Sequence, residues 1–385
     1  MIHMKNKLES EISDDPATSF TLPSHFYFDK DVFDEEYNRV FYRSWHYTCH
    51  ISELDGPGSY VTTKIGNQHF FVTRNKTGDI RAFSNVCRHR GHVLLTGSGK
   101  RKLITCPYHS WTYNLDGKLV SPGCAGFDGI KYEDYGLYEI RTEAFLGFVF
   151  INMDPSASSF ASQVPGLEQD LHRRVARLDE LVIDKNGANQ GPVTEGEMKC
   201  NWKLLAENYQ ECYHCSAVHP GISALHDTTR FILELSDNFT VSTIPLRDNL
   251  KPEEMVYPVS DDDEQRDACF WYIWPNIAFT SLSGRPNLSV LRLDPVGPEL
   301  TSNYLQVLHL PGDQSEAYLK RGEWMASATG PEDQAVLEST QLGLHQRSFR
   351  RGHFIYRTDP ATIGGSGERG PHWIARKIAR AFEAG

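Results

Sequence analysis

The chain has 385 residues, 39% of them hydrophobic, which exceeds what one compact core ordinarily holds and suffices to fill two. A formal charge of -11 and a pI near 5.8 argue against nucleic acid or an anionic membrane as partners, since tracking phosphates needs a basic patch. No run of about 18 apolar residues occurs and the N-terminal M-I-H-M-K-N-K-L-E-S lacks the apolar stretch of a secretion signal, so a cytoplasmic location is expected. The cysteines (49, 87, 106, 124, 200, 212, 215, 269) lack the regular spacing of a secreted disulfide scaffold, and most are expected to be reduced and buried. Residues 1–44 begin with a polar tail and continue into a helix capped by Asp29 or Asp31. This helix carries Phe33, Tyr37, Val40 and Phe41 on one face and is expected to pack on the later domain.

From Trp45 the pattern turns to short alternating strands, S-Y-V-T-T-K-I, H-F-F-V-T-R and D-I-R-A-F-S-N-V, separated by Gly- and Asn-containing turns. They predict a small antiparallel β domain over 45–155 that continues through a hairpin at L-D-G-K and closes with one strand, A-F-L-G-F-V-F-I-N-M. Inside it lie C-R-H-R-G-H and C-P-Y-H-S-W, two Cys-and-His pairs separated by residues 90–105. A structural zinc site would accept two Cys and two His, but zinc fingers rarely use a Cys-x-His pair. The pattern Cys-x-His followed by Cys-x-x-His resembles the Rieske proteins, in which two His replace two Cys on one iron of a 2Fe-2S cluster. The resemblance implies that Cys87 and Cys106 hold the inner iron, that His89 and His109 hold the outer one, and that the centre relays electrons. Pro107 and Gly91 suit loops that wrap backbone amides around the sulfurs.

A Ser-rich connection, P-S-A-S-S-F-A-S, opens the second domain, 156–385, with a surface helix expected over residues 163–181. Its strands, P-V-T-E-G-E-M-K-C, F-T-V-S-T-I-P-L, C-F-W-Y-I-W-P-N-I-A-F-T-S-L, L-S-V-L-R-L-D-P-V and T-S-N-Y-L-Q-V-L-H-L, suffice for one large antiparallel sheet. Helices are expected near 202–216, 314–326 and 331–347. The acidic run Asp261, Asp262, Asp263, Glu264 reads as a solvated loop. Gly365, Gly367 and Gly370 spell a chance G-x-G-x-x-G, with no strand before them and no acidic ribose partner after them.

Residues 201–220, N-W-K-L-L-A-E-N-Y-Q-E-C-Y-H-C-S-A-V-H-P, hold a second cluster of polar ligand types. At roughly 100° per residue, Glu207, Glu211 and His214 form one stripe on the expected helix. His219 precedes Pro220, which drives it out of helical geometry and lets it return toward His214. Each histidine alone reads as a core residue. Together, with a remote carboxylate, they make a 2-His-1-carboxylate site for non-haem Fe(II), with open positions for O2. Cys212 and Cys215 also form a C-x-x-C pair, but no second thiol pair or thioredoxin-like pattern supports a zinc or redox reading.

Together these motifs resemble the catalytic α subunit of a Rieske non-haem iron oxygenase from about residue 40 to 350. The resemblance implies an α+β chain, a Rieske β domain followed by a helix-grip sheet with helices, in which His214, His219 and an acidic residue of P-E-D-Q-A-V-L-E-S-T-Q-L-G-L hold iron. Asp333 is the expected ligand, with Glu332 and Glu338 as competitors. The family's usual Asp at the linking position is Glu211 here, which resembles the oxygenases of glycine betaine, carnitine and proline betaine. The implied activity is hydroxylation of an N-methyl group with O2 and two electrons, releasing formaldehyde. Electrons are expected from a separate NAD(P)H-dependent reductase, directly or through a ferredoxin, and the assembly is expected to be a head-to-tail homotrimer in which Glu211 couples neighbouring centres. A methylammonium substrate calls for an aromatic cage, for which Phe270, Tyr272 and Trp274 are candidates on one strand face; the alternative is ordinary sheet packing. A ring-hydroxylating dioxygenase or aryl O-demethylase would share every metal ligand, and a plain electron carrier or ligand carrier would lack turnover.

Overall fold

The structure, a computed structural model, describes residues 12–123, 131–183, 194–260, 262–356 and 367–383. Cys124, Asp261 and Gly365 lie outside the described residues. The chain forms two compact units, one made of residues 40–163 and the other combining the segment up to Arg39 with that from Val164 onward. Mixed helices and antiparallel sheets build both, as the α+β reading expects. No described helix is long and apolar enough to cross a membrane.

In the smaller unit, strands β1 (His46–His50), β2 (Ser59–Ile65), β3 (Gln68–Arg74), β4 (Ile80–Ser84), β5 (Ser98–Lys100), β9 (Glu139–Phe145) and β10 (Phe148–Asn152) make a seven-stranded sheet ordered β1-β10-β9-β4-β3-β2-β5. A second, three-stranded sheet consists of β6 (Ile104–Thr105), β7 (Thr112–Tyr113) and β8 (Leu119–Ser121). The single closing strand expected over 144–153 is instead a hairpin, because Leu146 and Gly147 both adopt positive φ, 49° and 82°, and reverse the chain in two residues. A core of Tyr60, Phe71, Phe83, Trp111, Tyr113 and Leu119 encloses Cys87 and Cys106.

The larger unit is built on an eight-stranded sheet: β11 (Val182–Ile183), β12 (Thr194–Met198), β13 (Ile232–Leu235), β14 (Phe239–Ile244), β15 (Ala268–Ile273), β16 (Ile277–Ser281), β17 (Asn287–Gly297) and β18 (Leu300–His309). Its order is β11-β18-β17-β16-β15-β14-β13, with β12 also pairing β18. The segment read as one strand from Cys269 to Leu282 is two, since Pro275 lacks the N–H that would continue the ladder. Of the helix expected over 163–181 only Leu167–Arg174 forms, starting after Pro165 and Gly166, with a single 3-10 turn at Leu178–Glu180.

The first helix, Lys30–Arg39, starts where the expected cap places it: Asp29 Oδ1 accepts the N–H groups of Asp31 and Val32 at 2.8 and 3.4 Å. Its buried face differs from the expected one, however. Phe33 and Tyr37 are half-buried, Val40 and Phe41 lie beyond the helix, and the residues fully covered are Val32 and Glu36. Glu36 is held by Lys203 Nζ at 2.6 Å and Trp202 Nε1 at 2.8 Å on the helix Trp202–Asn208. Burial pushes the Glu36 carboxyl up and the Lys203 ammonium down, while their contact opposes both shifts.

The helices expected near 314–326 and 331–347 are Glu316–Trp324 and Gly330–Leu344, joined without a break by a π turn at Met325–Thr329. Pro331 has no N–H to return to the preceding turn, and Gly330 N–H bonds Met325 O five residues back. The C-terminal helix Arg369–Glu383 crosses the backbone of Gln210 so closely that a Cβ on Gly370 would lie 2.4 Å from Gln210 O. The last glycine of the chance motif is therefore there for close approach.

Two candidate metal centres

Cys87 and Cys106 open two turns of the same build. Their carbonyls accept the N–H groups of Gly91 and Ser110, both at 3.0 Å, and their own N–H groups donate to His92 O and Trp111 O, both at 2.8 Å. The fourth residue after each cysteine is left-handed, with φ 76° at Gly91 and 58° at Ser110; glycine accepts this freely, whereas serine bears a cost of roughly 1 kcal/mol. Burial raises the Cys106 thiol, opposed by the nearby N–H groups of Tyr108 and His109, with Cys87 beside it. The Tyr113 hydroxyl accepts Arg88 N–H and lies 3.5 Å from Cys87 Sγ. On the outer side, exposed His89 stacks on Trp111 with its ring 4.7 Å from that of His109. His109 Nδ1 is buried without any hydrogen-bond partner, an arrangement that costs free energy unless that nitrogen serves as a ligand. Burial, with His89 and Arg90 beside it, holds the His109 imidazole below its ordinary range and favours the neutral form that binds metal. Between Asp79 and Asp116 the chain carries Arg81, Arg88, Arg90, Lys100, Arg101 and Lys102 and no acidic residue.

The second centre lies in the other unit. The helix that begins at Trp202 ends at Asn208, and residues 209–214 follow as turns, so the expected stripe does not form. Glu207 points away into the core, where it accepts the Tyr27 hydroxyl at 2.7 Å and burial raises its carboxyl to about 8. His219, at φ -115° and ψ 77° before Pro220, turns back as expected and brings its Nε2 to 3.2 Å from His214 Nε2. Asp333 Oδ1 lies 3.0 Å from His219 Nε2 and 3.8 Å from His214 Nε2. Ligands at right angles on an ion with bonds of about 2.1 Å stand about 3 Å apart, so these three atoms fit one face of a single ion.

The outer nitrogens of both rings are held by carboxylates. His219 Nδ1 meets Glu332 Oε2 at 2.8 Å, and His214 Nδ1 meets Glu211 Oε1, whose other oxygen accepts the N–H groups of Tyr213 and His214. Such contacts fix which nitrogen faces the metal. Glu332 is thus a partner of the ring rather than a competitor of Asp333, while Glu338 accepts Lys199 N–H and the Gln334 amide elsewhere. The signal that could have located Glu332 is its adjacency to Asp333 at the start of a helix. Burial lowers the His219 imidazole, but Asp333 and Glu332 outweigh that and leave it raised.

The three aromatic candidates do not form one group. Phe270 and Tyr272 flank Tyr209, with ring centroids 5.9 and 6.1 Å away. Trp274 lies past the end of the strand, between Trp202 and Trp373 with the Lys377 ammonium 6.0 Å from its ring, so the alternation stops one residue short of it. Cys212 and Cys215, expected to be uninvolved, are joined in a disulfide.

Residues 173–380 match the model of the ring hydroxylating alpha subunit (catalytic domain), and residues 44–127 match that of the Rieske [2Fe-2S] domain. The chain belongs to the Rieske oxygenase α subunits. Similar relatives are the carnitine monooxygenase oxygenase subunits of Acinetobacter baumannii, 32% identical over 97% of this chain and 98% of that one, and of Escherichia coli K12, 34% identical over 87% of each. A solved quaternary ammonium Rieske monooxygenase, described for carnitine oxidation and inter-subunit electron transfer, is 30% identical with a TM-score of 0.83, over 95% of this chain and 96% of that one. Within the Rieske oxygenases the chain thus matches the quaternary ammonium subgroup, and its cofactors are a Rieske 2Fe-2S cluster and the mononuclear iron of the catalytic domain. The unpartnered His109 Nδ1 suits the first, and the converging Nε2, Nε2 and Oδ1 suit the second.

Proposed function

We propose that this oxygenase hydroxylates an N-methyl group of a quaternary ammonium or betaine substrate, with Fe(II) held by His214, His219 and Asp333 and the cluster by Cys87, His89, Cys106 and His109. The observation that carries the reading is the convergence of the three donor atoms, in a chain whose near-full-length relatives are carnitine oxygenase subunits. When bound, the iron supplies the site at which O2 is reduced. Glu332 and Glu211, held against the Nδ1 atoms, turn the Nε2 atoms of His219 and His214 toward it. One O2, two electrons and two protons convert the N-methyl C–H to a carbinol and water; the carbinolamine then releases formaldehyde and the demethylated amine. Phe270 is the proposed aromatic surface for the methylammonium group, while Tyr272, fully buried with its hydroxyl on Pro275 O, packs behind Tyr209.

Electrons come from a separate reductase, as the designation of the relatives as oxygenase subunits supports. We place the protein in the cytoplasm as a head-to-tail homotrimer, with Glu211 coupling the iron of one subunit to a cluster histidine of its neighbour. The test is substrate-dependent O2 uptake and formaldehyde release with glycine betaine, carnitine and other methylated amines, set against aromatic acids. Formaldehyde matching O2 consumed supports N-demethylation. Consumption of the quaternary amine without formaldehyde would confine the reading to oxygenation at another carbon, and uptake with aromatic acids alone would overturn it.

A further inference from the structure

The Cys212–Cys215 disulfide lies within the segment that carries Glu211 and His214. Cys87, Cys106, Cys200 and Cys269 form no disulfide. Cys212 and Cys215 are 3% and 5% exposed and pack with Phe231, Leu233, Ile244, Ile222 and Phe270, whereas Tyr213 between them is 53% exposed. The bonded pair therefore lies one side chain below the surface, on the turn that orients the metal-facing ring. Its Cα atoms are 4.8 Å apart, and Cys215 N–H donates to Cys212 O at 3.3 Å, so the backbone is already folded for bridging.

We infer that Cys212 and Cys215 are a redox-modification site, a reversible dithiol and disulfide whose state sets how firmly Glu211 and His214 are held; the inference rests on the reading that His214, His219 and Asp333 hold iron. In a reducing compartment a C-x-x-C disulfide is a cycling group rather than a permanent staple. Oxidation by hydrogen peroxide balances in two steps: one thiol becomes a sulfenic acid and releases water, and the second thiol displaces a further water to form the S–S bond. A dithiol reductant reverses this and leaves as its own disulfide.

Two thiols occupy more room than one disulfide, because unbonded sulfurs retreat to van der Waals separation. Phe270, Phe231 and Ile244 close the apolar side, so the turn must yield. The residues next to the sulfurs are Glu211 and His214, and the Glu211 contacts to Tyr213 N–H, His214 N–H and His214 Nδ1 span the closed loop. Reduction thus loosens the carboxylate that orients His214, while His219, Glu332 and Asp333 remain in place.

The test uses the full-length protein loaded with iron, treated with hydrogen peroxide or with a dithiol. Mass spectrometry of the peptide containing 212–215 reads the bond, and a chelator chase reads iron retention at the second centre. The expected result is a reversible loss of two hydrogens on oxidation, and iron held about ten- to a hundredfold more weakly in the reduced form. The double variant Cys212→Ser, Cys215→Ser should release iron like the reduced protein and ignore both reagents, with its cluster absorbance showing that the chain is folded. A pair that stays dithiol after peroxide, or equal iron retention in both states, overturns the inference. Asp333→Ala separates the two readings: if it keeps its iron, the ligand assignment fails, whereas iron lost there, with retention in the unsubstituted protein indifferent to the disulfide, sinks only the redox role.

Discussion

Glu332 and Asp333 are consecutive in the chain yet reach opposite nitrogens of one imidazole, so His219 is gripped from both sides. Removing the outer grip should weaken iron without unfolding the site. Glu332→Ala is expected to lower iron affinity about ten- to a hundredfold, read by chelator competition, with the cluster spectrum unchanged. A second expectation concerns pH. The two carboxylates raise the His219 imidazole, so in the iron-free protein a proton occupies the ring more readily than in an ordinary histidine. Iron must displace that proton, so apparent affinity should fall as pH drops through the raised value, by about tenfold per unit, and level off above it. Affinity independent of pH between 5 and 8 would contradict this.

At the scale of elements, the buried pair Glu36 and Lys203 ties the first helix to the helix that leads into the turn carrying Glu211 and His214. Glu36→Ala leaves an ammonium with no exposed surface and no carboxylate, and should destabilise the protein by about 3–5 kcal/mol in denaturant titration, more than Glu36→Gln. The sequence hid this pair: Glu36 sits among charged residues of an ordinary-looking surface helix, and periodicity gave the inward positions to Phe33 and Tyr37. What was legible carried its constraint within a few residues. Both Cys-and-His pairs, the Asp29 cap and the turn-back of His219 before Pro220 are local chemistry. The stripe through Glu207 failed because a helix was extended past Asn208, where turns packed under Gly370 take over. Trp274 failed for the analogous reason at a strand end. Glu332 needed a tertiary contact that no spacing reveals.

Considered as a whole, the molecule is acidic, yet the segment carrying the proposed outer cluster ligands holds Arg88, Arg90, Arg101 and Lys102, while Arg81 is paired with Asp116 and Glu139 and Lys100 with Asp55. An acidic electron donor approaching His89 and His109 would be drawn by that field, and salt shortens its reach to about 8–10 Å at physiological strength. Reductase-supported turnover should therefore slow as ionic strength rises, while a single turnover of chemically reduced protein should not; equal sensitivity of both would place the salt effect elsewhere. The π turn at Met325–Thr329 has a consequence of its own. It holds one more residue than the regular path needs, and everything after it, Asp333 included, is set round by that extra step. Shortening the segment by one amino acid would straighten the rod and rotate its carboxylates by roughly 100°, away from His219. A chain lacking that one residue would gain a regular helix and lose the third donor from beside the two imidazoles.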